Sequence, residues 1–327
     1  MQIMLTQGIL AGVCVGLMEV PSIALIPDYF KKRLGLALGL AISGAPAGGL
    51  IYSVVFRSVL NATNFGWATR VIGFIVLVTL GTAILIIKPQ DTRRKSSDRK
   101  FLDLSAFREA PFISILFCAF FSYCAALVPY FITPAFAVSL GQSNDTGTYL
   151  IAVLNGAQFF GRVIPNWLSD YYGGGDMLLL AQALIGVLGL HWITVATLGG
   201  FVEFLIFTGF ISGAVATLPS NVIPYICPKA ETLGTRIGMI YAVAGLGVLI
   251  GNPIALATTG DTSTREGFLG AQLWMGICAL IGAAFFVLPA KSAKQNRAVA
   301  FGIEWEGTPS PWMDLTMSVW RRLDRRK

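Results

Sequence analysis

One stretch of the chain combines a charged side chain with several amides at helical spacing. Arg162 falls inside an otherwise apolar run, and Asn155, Gln158 and Asn166 share its helical face. An ionisable side chain inside a membrane helix costs about 2.5–3.5 kcal/mol on insertion scales, so it usually faces protein or water. A guanidinium group on such a face can bind a carboxylate through paired hydrogen bonds. We predict that Arg162, Gln158 and Asn155 bind an anion; the alternative is an arginine that snorkels to the membrane surface and pairs with Asp170.

Glu19 is a second ionisable residue in an apolar run. It shares a helical face with Gly12 and Gly16, which predicts a carboxyl group directed into a helical bundle. There it either binds a proton or substrate, or is a neutral or paired side chain in the packing. The single histidine, His191, stands beside a tryptophan in an apolar run, and we interpret it as a packed or interfacial residue.

The remaining reactive residue types form no enzyme or metal site in the sequence. No Gly-rich phosphate loop follows a strand, and no triad of Ser, Cys or His can be assembled. The cysteines lie within or at the ends of apolar segments and lack the spacing of a metal site. They are Cys14, Cys118, Cys124, Cys227 and Cys278. The basic residues behind the net charge of +7 lie between apolar runs and not on a face with stacking aromatics. We therefore predict no enzyme, no cofactor, no metal and no nucleic-acid partner.

Composition predicts that membrane helices position these residues. Hydrophobic residues make up 55% of the chain and charged residues 13%, and the mean hydropathy is +0.69. The charges are confined to short blocks, which leaves apolar windows long enough to cross about 30 Å of hydrocarbon. We predict an all-α membrane protein with about nine transmembrane helices. The predicted spans lie near 3–28, 34–56, 68–88, 111–138, 148–168, 177–197, 200–227, 234–259 and 268–289.

A long polar interruption divides these spans into three and six. Residues 1–88 form an incomplete N-terminal bundle, 89–110 a cytoplasmic linker and 111–289 a C-terminal six-helix bundle. Residues 290–327 form a basic cytoplasmic tail. The end of this tail has helical apolar spacing beside basic residues, so it either lies on an anionic membrane leaflet or is a solvated tail.

A pattern of glycine, proline and arginine occurs twice, about 200 residues apart. The first copy contains Gly12, Gly16, Pro21, Pro27, Arg33, Gly35, Gly44 and Gly48. The second contains Gly209, Gly213, Pro219, Pro224, Arg236, Gly238, Gly247 and Gly251. Glycines four residues apart let membrane helices approach closely, and a parallel repeat of this length is typical of transporters built from two halves. We assign structural roles to Gly12, Gly16, Pro21, Gly44, Gly48 and Asp170.

The distribution of lysine and arginine predicts the orientation of the spans. Placing residues 31–33 in the cytoplasm puts all but a few basic residues on that side, with the N-terminus outside and the C-terminus inside. An impermeant thiol reagent added to intact cells should modify a cysteine introduced at Asn61 but not one introduced at Lys95. External labelling at position 95 would refute this topology.

The chain resembles the major facilitator superfamily, and more narrowly its monocarboxylate-transporter-like permeases of fungal type. The resemblance covers nearly the whole chain up to the tail. In the first half it rests on Leu5-Thr6-Gln7-Gly8, Pro21-Ser22, Tyr29-Phe30-Lys31-Lys32-Arg33, Gly35-Leu36-Ala37-Leu38-Gly39 and Gly66-Trp67. In the second half it rests on Asn155-Gly156-Ala157, Gly161-Arg162, Pro165 and Ser169-Asp170.

The resemblance implies a twelve-span fold with both ends cytoplasmic, of which this chain would contain spans four to twelve. It also implies secondary transport of small organic anions such as monocarboxylates by alternating access, with Arg162 at the substrate. Characterised carriers have an aspartate one turn before this arginine, where this chain has Gln158. The first-span lysine of those carriers is absent. A coupling proton would then have to bind Glu19.

Two other functions fit the same sequence. A broader metabolite exporter of the superfamily would share every feature described above. A truncated product, or a membrane partner of a full-length carrier, would insert without transporting, because the first bundle has three of its expected six spans. For the carrier itself, the expected partners are a small organic anion and the lipid bilayer, and the plasma membrane is favoured over an organelle membrane.

Overall fold

The computed structural model describes residues 4–30, 33–86, 102–226 and 232–300. Every regular element in these ranges is helical. The α-helices are α1 (Ala11–Tyr29), α2 (Leu34–Ala62), α3 (Phe65–Ile86), α4 (Ala110–Ala126), α5 (Val128–Ser139), α6 (Asn144–Tyr172), α7 (Gly174–His191), α8 (Leu198–Ile226), α9 (Leu233–Ala257) and α10 (Leu269–Ala300). A π-helical segment, Met4–Leu10, precedes α1, and the 3₁₀ helices are Leu104–Arg108, Trp192–Thr194 and Arg265–Phe268. Most of the predicted linker and tail lies outside the described residues.

The described residues contain 8 helical segments that are long and apolar enough to cross a membrane. They confirm the prediction of an all-α, multi-pass membrane protein. The one predicted span that is not among these eight, 148–168, corresponds to α6, which is 29 residues long. At about 1.5 Å per residue this helix also exceeds the thickness of the hydrocarbon layer. Its apolarity is lower because it carries the polar residues around Arg162.

The predicted span 111–138 is divided into two helices. α4 ends at Ala126 and α5 begins at Val128, with Pro129 in the first turn of α5. Proline has no backbone N–H and its ring clashes with the preceding helical turn, so the break falls here. The break brings Tyr130 of α5 towards α6, where its hydroxyl lies 3.4 Å from Oδ1 of Asn155.

The helices from α4 onward form the larger packed unit. α6 packs against α8, α4 against α9, and α10 against both α4 and α7. Two apolar clusters fill this unit, one including Phe112 and Phe286 and the other including Phe136 and Trp192. Phe136 lies edge-on to Trp192, with the ring centres 5.4 Å apart. This packing fixes the relative positions of the helices and hence of the polar residues between them.

Glycines hold α6 tightly between α2 and α8. A Cβ atom added to Gly213 of α8 would lie 2.5 Å from the carbonyl oxygen of Gln158. One added to Gly39 of α2 would lie 2.6 Å from the carbonyl oxygen of Arg162. Neither position has room for a side chain, so backbone contacts on two sides fix the polar face of α6.

Replacing Gly161 of α6 with alanine should destabilise the protein by about 1–3 kcal/mol. The added methyl group would overlap the carbonyl oxygen of Phe210, a backbone atom that cannot rotate away. Size-exclusion chromatography of heated, detergent-solubilised protein measures the loss. Gly245→Ala is the matched control, because nothing lies within 4 Å of its added methyl group and alanine favours a helix. Equal melting temperatures for the two variants would contradict the tight contact.

The repeated glycines have different surroundings in the two copies. In the second copy, Gly209 and Gly251 each face the backbone of another helix, as predicted. In the first copy, Gly35 faces the backbone of α6, but the four glycines of the pairs spaced four residues apart do not approach another helix: three have no atom within 4 Å of an added Cβ, and the fourth meets only a tyrosine ring of its own helix. These are Gly12, Gly16 and Gly44, and Gly48, respectively. The close approach predicted for these four is therefore not present among the described residues. Pro21 lies inside α1, without breaking it.

A buried arginine joins the segment before α4 to the start of α9. Arg236 donates from Nε to Asp103 at 2.9 Å, and from both terminal nitrogens to Glu109 at 2.8 Å. The guanidinium carbon lies 5.4 Å from the centre of the Phe112 ring. The Arg236 side chain is only 4% exposed. We call these four residues the Arg236 clamp.

Candidate anion-binding site

Arg162 reaches from α6 to α2. Its Nη1 donates a 2.8 Å hydrogen bond to the carbonyl oxygen of Ile42, and its Nη2 a 3.4 Å hydrogen bond to Oε1 of Gln158. Its Nε is buried and has no partner among the described residues. A guanidinium group offers five N–H donors, so this one keeps donors for a further acceptor.

Asn155 and Gln158 lie beside Arg162 and are both buried. Nε2 of Gln158 lies 3.4 Å from the Ser212 hydroxyl of α8, and Oδ1 of Asn155 lies 3.4 Å from the Tyr130 hydroxyl. These distances are longer than those of well-formed hydrogen bonds. The two amide groups can therefore exchange such partners for a ligand at a small cost.

Tyrosines and Glu19 complete the surroundings of Arg162. The side chains of Tyr123 of α4, Tyr130 of α5 and Tyr241 of α9 lie within electrostatic range of the guanidinium group. Glu19 of α1 lies within the same range of the guanidinium group, of Tyr123 and of Tyr241. The Glu19 residue is exposed, whereas the tyrosines are partly buried. We call this set the central site, which comprises Glu19, Tyr123, Tyr130, Asn155, Gln158, Arg162 and Tyr241.

Asn166 shares the predicted polar face but is bound to α8. Its amide nitrogen donates to the Thr217 hydroxyl and to the carbonyl oxygen of Arg162. One turn on, the Ser169 hydroxyl accepts a 2.6 Å hydrogen bond from the amide of Asn221. These interhelical hydrogen bonds join α6 to α8, so we assign Asn166 to helix packing.

Asp170 of α6 lies against the first turn of α2. Its carboxylate accepts hydrogen bonds from the backbone N–H groups of Gly35 at 2.7 Å and Leu36 at 3.0 Å. The unpaired N–H groups and dipole at a helix N-terminus attract a negative charge. Arg162 donates its hydrogen bonds to Ile42 and Gln158. The alternative prediction, in which Arg162 pairs with Asp170, is therefore wrong.

The contact between α2 and α6 runs along both helices and has a polar link at each end. Asp170 binds the N-terminus of α2 at one end, and Arg57 of α2 forms an ion pair with Asp145 of α6 at the other. The Arg57 side chain is 34% exposed and that of Asp145 is 63% exposed, so the second link is the more solvated one. Arg162 lies between the two links.

Sequence reasoning did not identify Ser212 or the three tyrosines. They lie on α4, α5, α8 and α9, and no spacing along the chain relates them to α6. The available signal was weak: each is a hydroxyl group in an otherwise apolar run, and such groups are common in membrane helices.

The sequence profile of the Major Facilitator Superfamily matches residues 2–202 and, in a second overlapping match, residues 115–327. Similar curated proteins are fungal. MFS-type transporter dbaD of Emericella nidulans is 32% identical over 86% of this chain and 63% of its own length. Aspyridones efflux protein apdF of the same organism is 31% identical over 86% and 57%, respectively. Agnestins efflux protein AgnL12 of Paecilomyces divaricatus is 29% identical over 88% and 65%.

The chain thus spans between 57% and 65% of the length of these three relatives. The fold also resembles a solved structure, that of the Major Facilitator Superfamily transporter FucP in the outward conformation. The TM-score is 0.58 at 15% identity, over 85% of this chain and 72% of FucP. The profile match covers more than half of the residues, and the helical architecture agrees with it. The chain belongs to the Major Facilitator Superfamily.

Proposed function

We propose that this chain supplies the substrate site of a secondary transporter for small organic anions, which works by alternating access. Arg162 supports this proposal, because it has more N–H donors than acceptors among the described residues. This arginine lies inside a membrane helix, and its buried Nε has no acceptor among the described residues. A charge held at such a depth is costly and usually functional. A carboxylate that bonded to the free donors would satisfy them.

Glu19 gives the proposed site a means of coupling to protons. It is the carboxylate that interacts electrostatically with Arg162 in the described part of the chain. While Glu19 is ionised, it offsets the positive charge that an anion would bind. When it takes up a proton, the guanidinium charge is left for the substrate. The position that holds an aspartate in characterised proton-coupled carriers is Gln158, so Glu19 is the coupling residue in this proposal.

The two polar links between α2 and α6 suit the opening and closing of such a site. Alternating access requires contacts at the two ends of a helix pair that break in turn. Exposed ion pairs contribute about 0–1 kcal/mol, so the Arg57–Asp145 link costs little to break. The Asp170 link to the α2 N-terminus is less exposed, so we expect it to cost more to break.

Export of a larger metabolite is the second candidate function. Two relatives carry the names of efflux proteins for aspyridones and agnestins. In this chain, the aromatic walls formed by Tyr123, Tyr130 and Tyr241 would contact an apolar body attached to the anion. This function uses the same Arg162 contact and differs in the direction of transport and the size of the substrate.

Ligand-induced stabilisation tests the anion site directly. Protein in nanodiscs is heated with benzoate, with neutral benzyl alcohol or with cationic benzylamine, which share a ring but differ in charge. A ligand that binds the folded protein raises its melting temperature in proportion to RT ln(1 + [L]/Kd). We expect benzoate to stabilise the protein and the other two compounds to have no effect. Equal shifts for all three compounds, or none, would contradict an anion site.

A further inference from the structure

A narrow pocket opens within the larger helical unit next to the central site. Its walls come from α4, α7, α8, α9 and α10, and it has room for about one water molecule or hydroxyl group. Tyr123 and Tyr241 line it, and both also lie within electrostatic range of Arg162. These two tyrosines therefore belong to the central site and to the pocket. A substrate held by Arg162 has the pocket as its neighbour.

The lining is apolar except for a small group of polar side chains. Gln182 of α7 donates from Nε2 to the Ser122 hydroxyl and lies 3.8 Å from the Cys118 sulfur. The Ser122 hydroxyl already donates its own proton to the carbonyl oxygen of Cys118. Ser122 can therefore only accept from Gln182, which fixes the amide with its nitrogen towards Ser122.

This arrangement leaves Oε1 of Gln182 without a donor. Gln182 is 1% exposed, and Oε1 has no hydrogen-bond partner among the described residues. A buried acceptor left unsatisfied costs about 1–3 kcal/mol. A hydroxyl group that reaches Oε1 would supply the missing donor. Native proteins retain few such groups, so each calls for an explanation.

We propose that this pocket is a hydroxyl-binding subsite of the carrier, in which Gln182 Oε1 accepts from a hydroxyl on the substrate. The substrate class is then a hydroxylated aromatic acid. Its anionic group binds Arg162, its ring lies against Tyr123 and Tyr241, and its hydroxyl points to Gln182. This inference rests on the proposed anion site and adds the specificity of that site for hydroxylated substrates. The pocket has room for the hydroxyl group alone, so the ring stays at its mouth against Tyr123 and Tyr241.

Matched pairs of acids test the subsite in the nanodisc assay. The probes are para-hydroxybenzoate, para-hydroxyphenylacetate and para-hydroxyphenylpropanoate, each compared with its parent acid. They differ in the distance between carboxylate and hydroxyl group, so that one of them can reach from Arg162 to Gln182. For the unmodified protein we expect at least one hydroxylated acid to bind about tenfold more tightly than its parent. Gln182→Leu should remove this preference and leave the affinity for the parent acids unchanged.

Two further variants make the test specific. Gln272→Leu replaces another buried glutamine that lies outside the pocket, and it should keep the preference. Ala119→Leu fills the pocket from α4 while retaining Gln182, and it should abolish the preference even if Gln182→Leu fails to accumulate. Equal binding within every pair by the unmodified protein would overturn the subsite but leave the anion site standing. If no acid binds, or Arg162→Ala binds them undiminished, the anion site falls and the subsite with it.

Discussion

Replacing Arg162 with lysine should weaken the binding of benzoate by about 10- to 100-fold. Lysine keeps the positive charge but loses the planar fork of donors that holds a carboxylate with two parallel hydrogen bonds. It also cannot supply both the bond to the Ile42 carbonyl oxygen and a geometrically fixed bond to a ligand. Affinities come from the benzoate dependence of the melting temperature in nanodiscs. Arg162→Ala, which removes the charge as well, should bind less benzoate than Arg162→Lys.

A control variant separates binding from helix packing. Arg57→Lys changes an arginine of the same α2–α6 contact, at the end remote from the central site, and should leave benzoate affinity unchanged. If both Arg162 variants instead fail to accumulate in the membrane, the bond to Ile42 is what matters and the binding hypothesis is wrong. Normal accumulation with unchanged benzoate affinity would exclude an anion contact at Arg162.

The polar face of α6 could be read from the sequence because one helix carries it. Asn155, Gln158 and Arg162 are spaced by three and four residues, which places them on one side of any helix. Long apolar windows likewise predicted the helical segments that the structure contains. Periodicity reports the sides of a single helix and says nothing about which other helix faces each side.

Relations between helices could not be read in this way. Asp170 and Arg162 are two turns apart on α6, so pairing between them was a reasonable alternative. The carboxylate instead found the N-terminus of α2, whose open N–H groups come from Gly35 and Leu36. The division of the span 111–138 is a second case. Pro129 lies within this span, but tertiary packing decides whether a membrane helix bends or ends at proline.

The repeated glycines show the same limit. Gly12 and Gly209 occupy equivalent places in the two copies of the pattern, yet only Gly209 contacts another helix in the described structure. Glycines four residues apart allow two helices to approach closely, but only where a second helix packs against them. The repeated arginines also differ: Arg236 is buried in its clamp, whereas Arg33 is exposed.

Replacing Arg236 with alanine should lower the stability of the protein by about 3–5 kcal/mol, the typical effect of removing one partner from a buried ion pair. The Asp103 side chain is only 11% exposed, so its charge would be left with little access to water. The contact with the Phe112 ring would be lost as well. Thermal unfolding in nanodiscs, followed by intrinsic fluorescence, measures the change. Arg33→Ala, the equivalent substitution in the first copy of the repeat, is the matched control and should have little effect.

The pH dependence of this loss identifies its cause. The hydrogen bond from the Ser105 hydroxyl, together with the neighbouring Arg236, lowers the pKa of Asp103 below its ordinary 3.8. A carboxyl group with a lowered pKa stabilises the folded state above its unfolded pKa, and this contribution disappears as the pH falls through the folded value. The stability difference between the unmodified protein and Arg236→Ala should therefore be constant between about pH 5 and pH 8 and shrink only in stronger acid. A difference that varied across the neutral range, or no difference at all, would mean that the clamp does not hold the chain before α4 to α9.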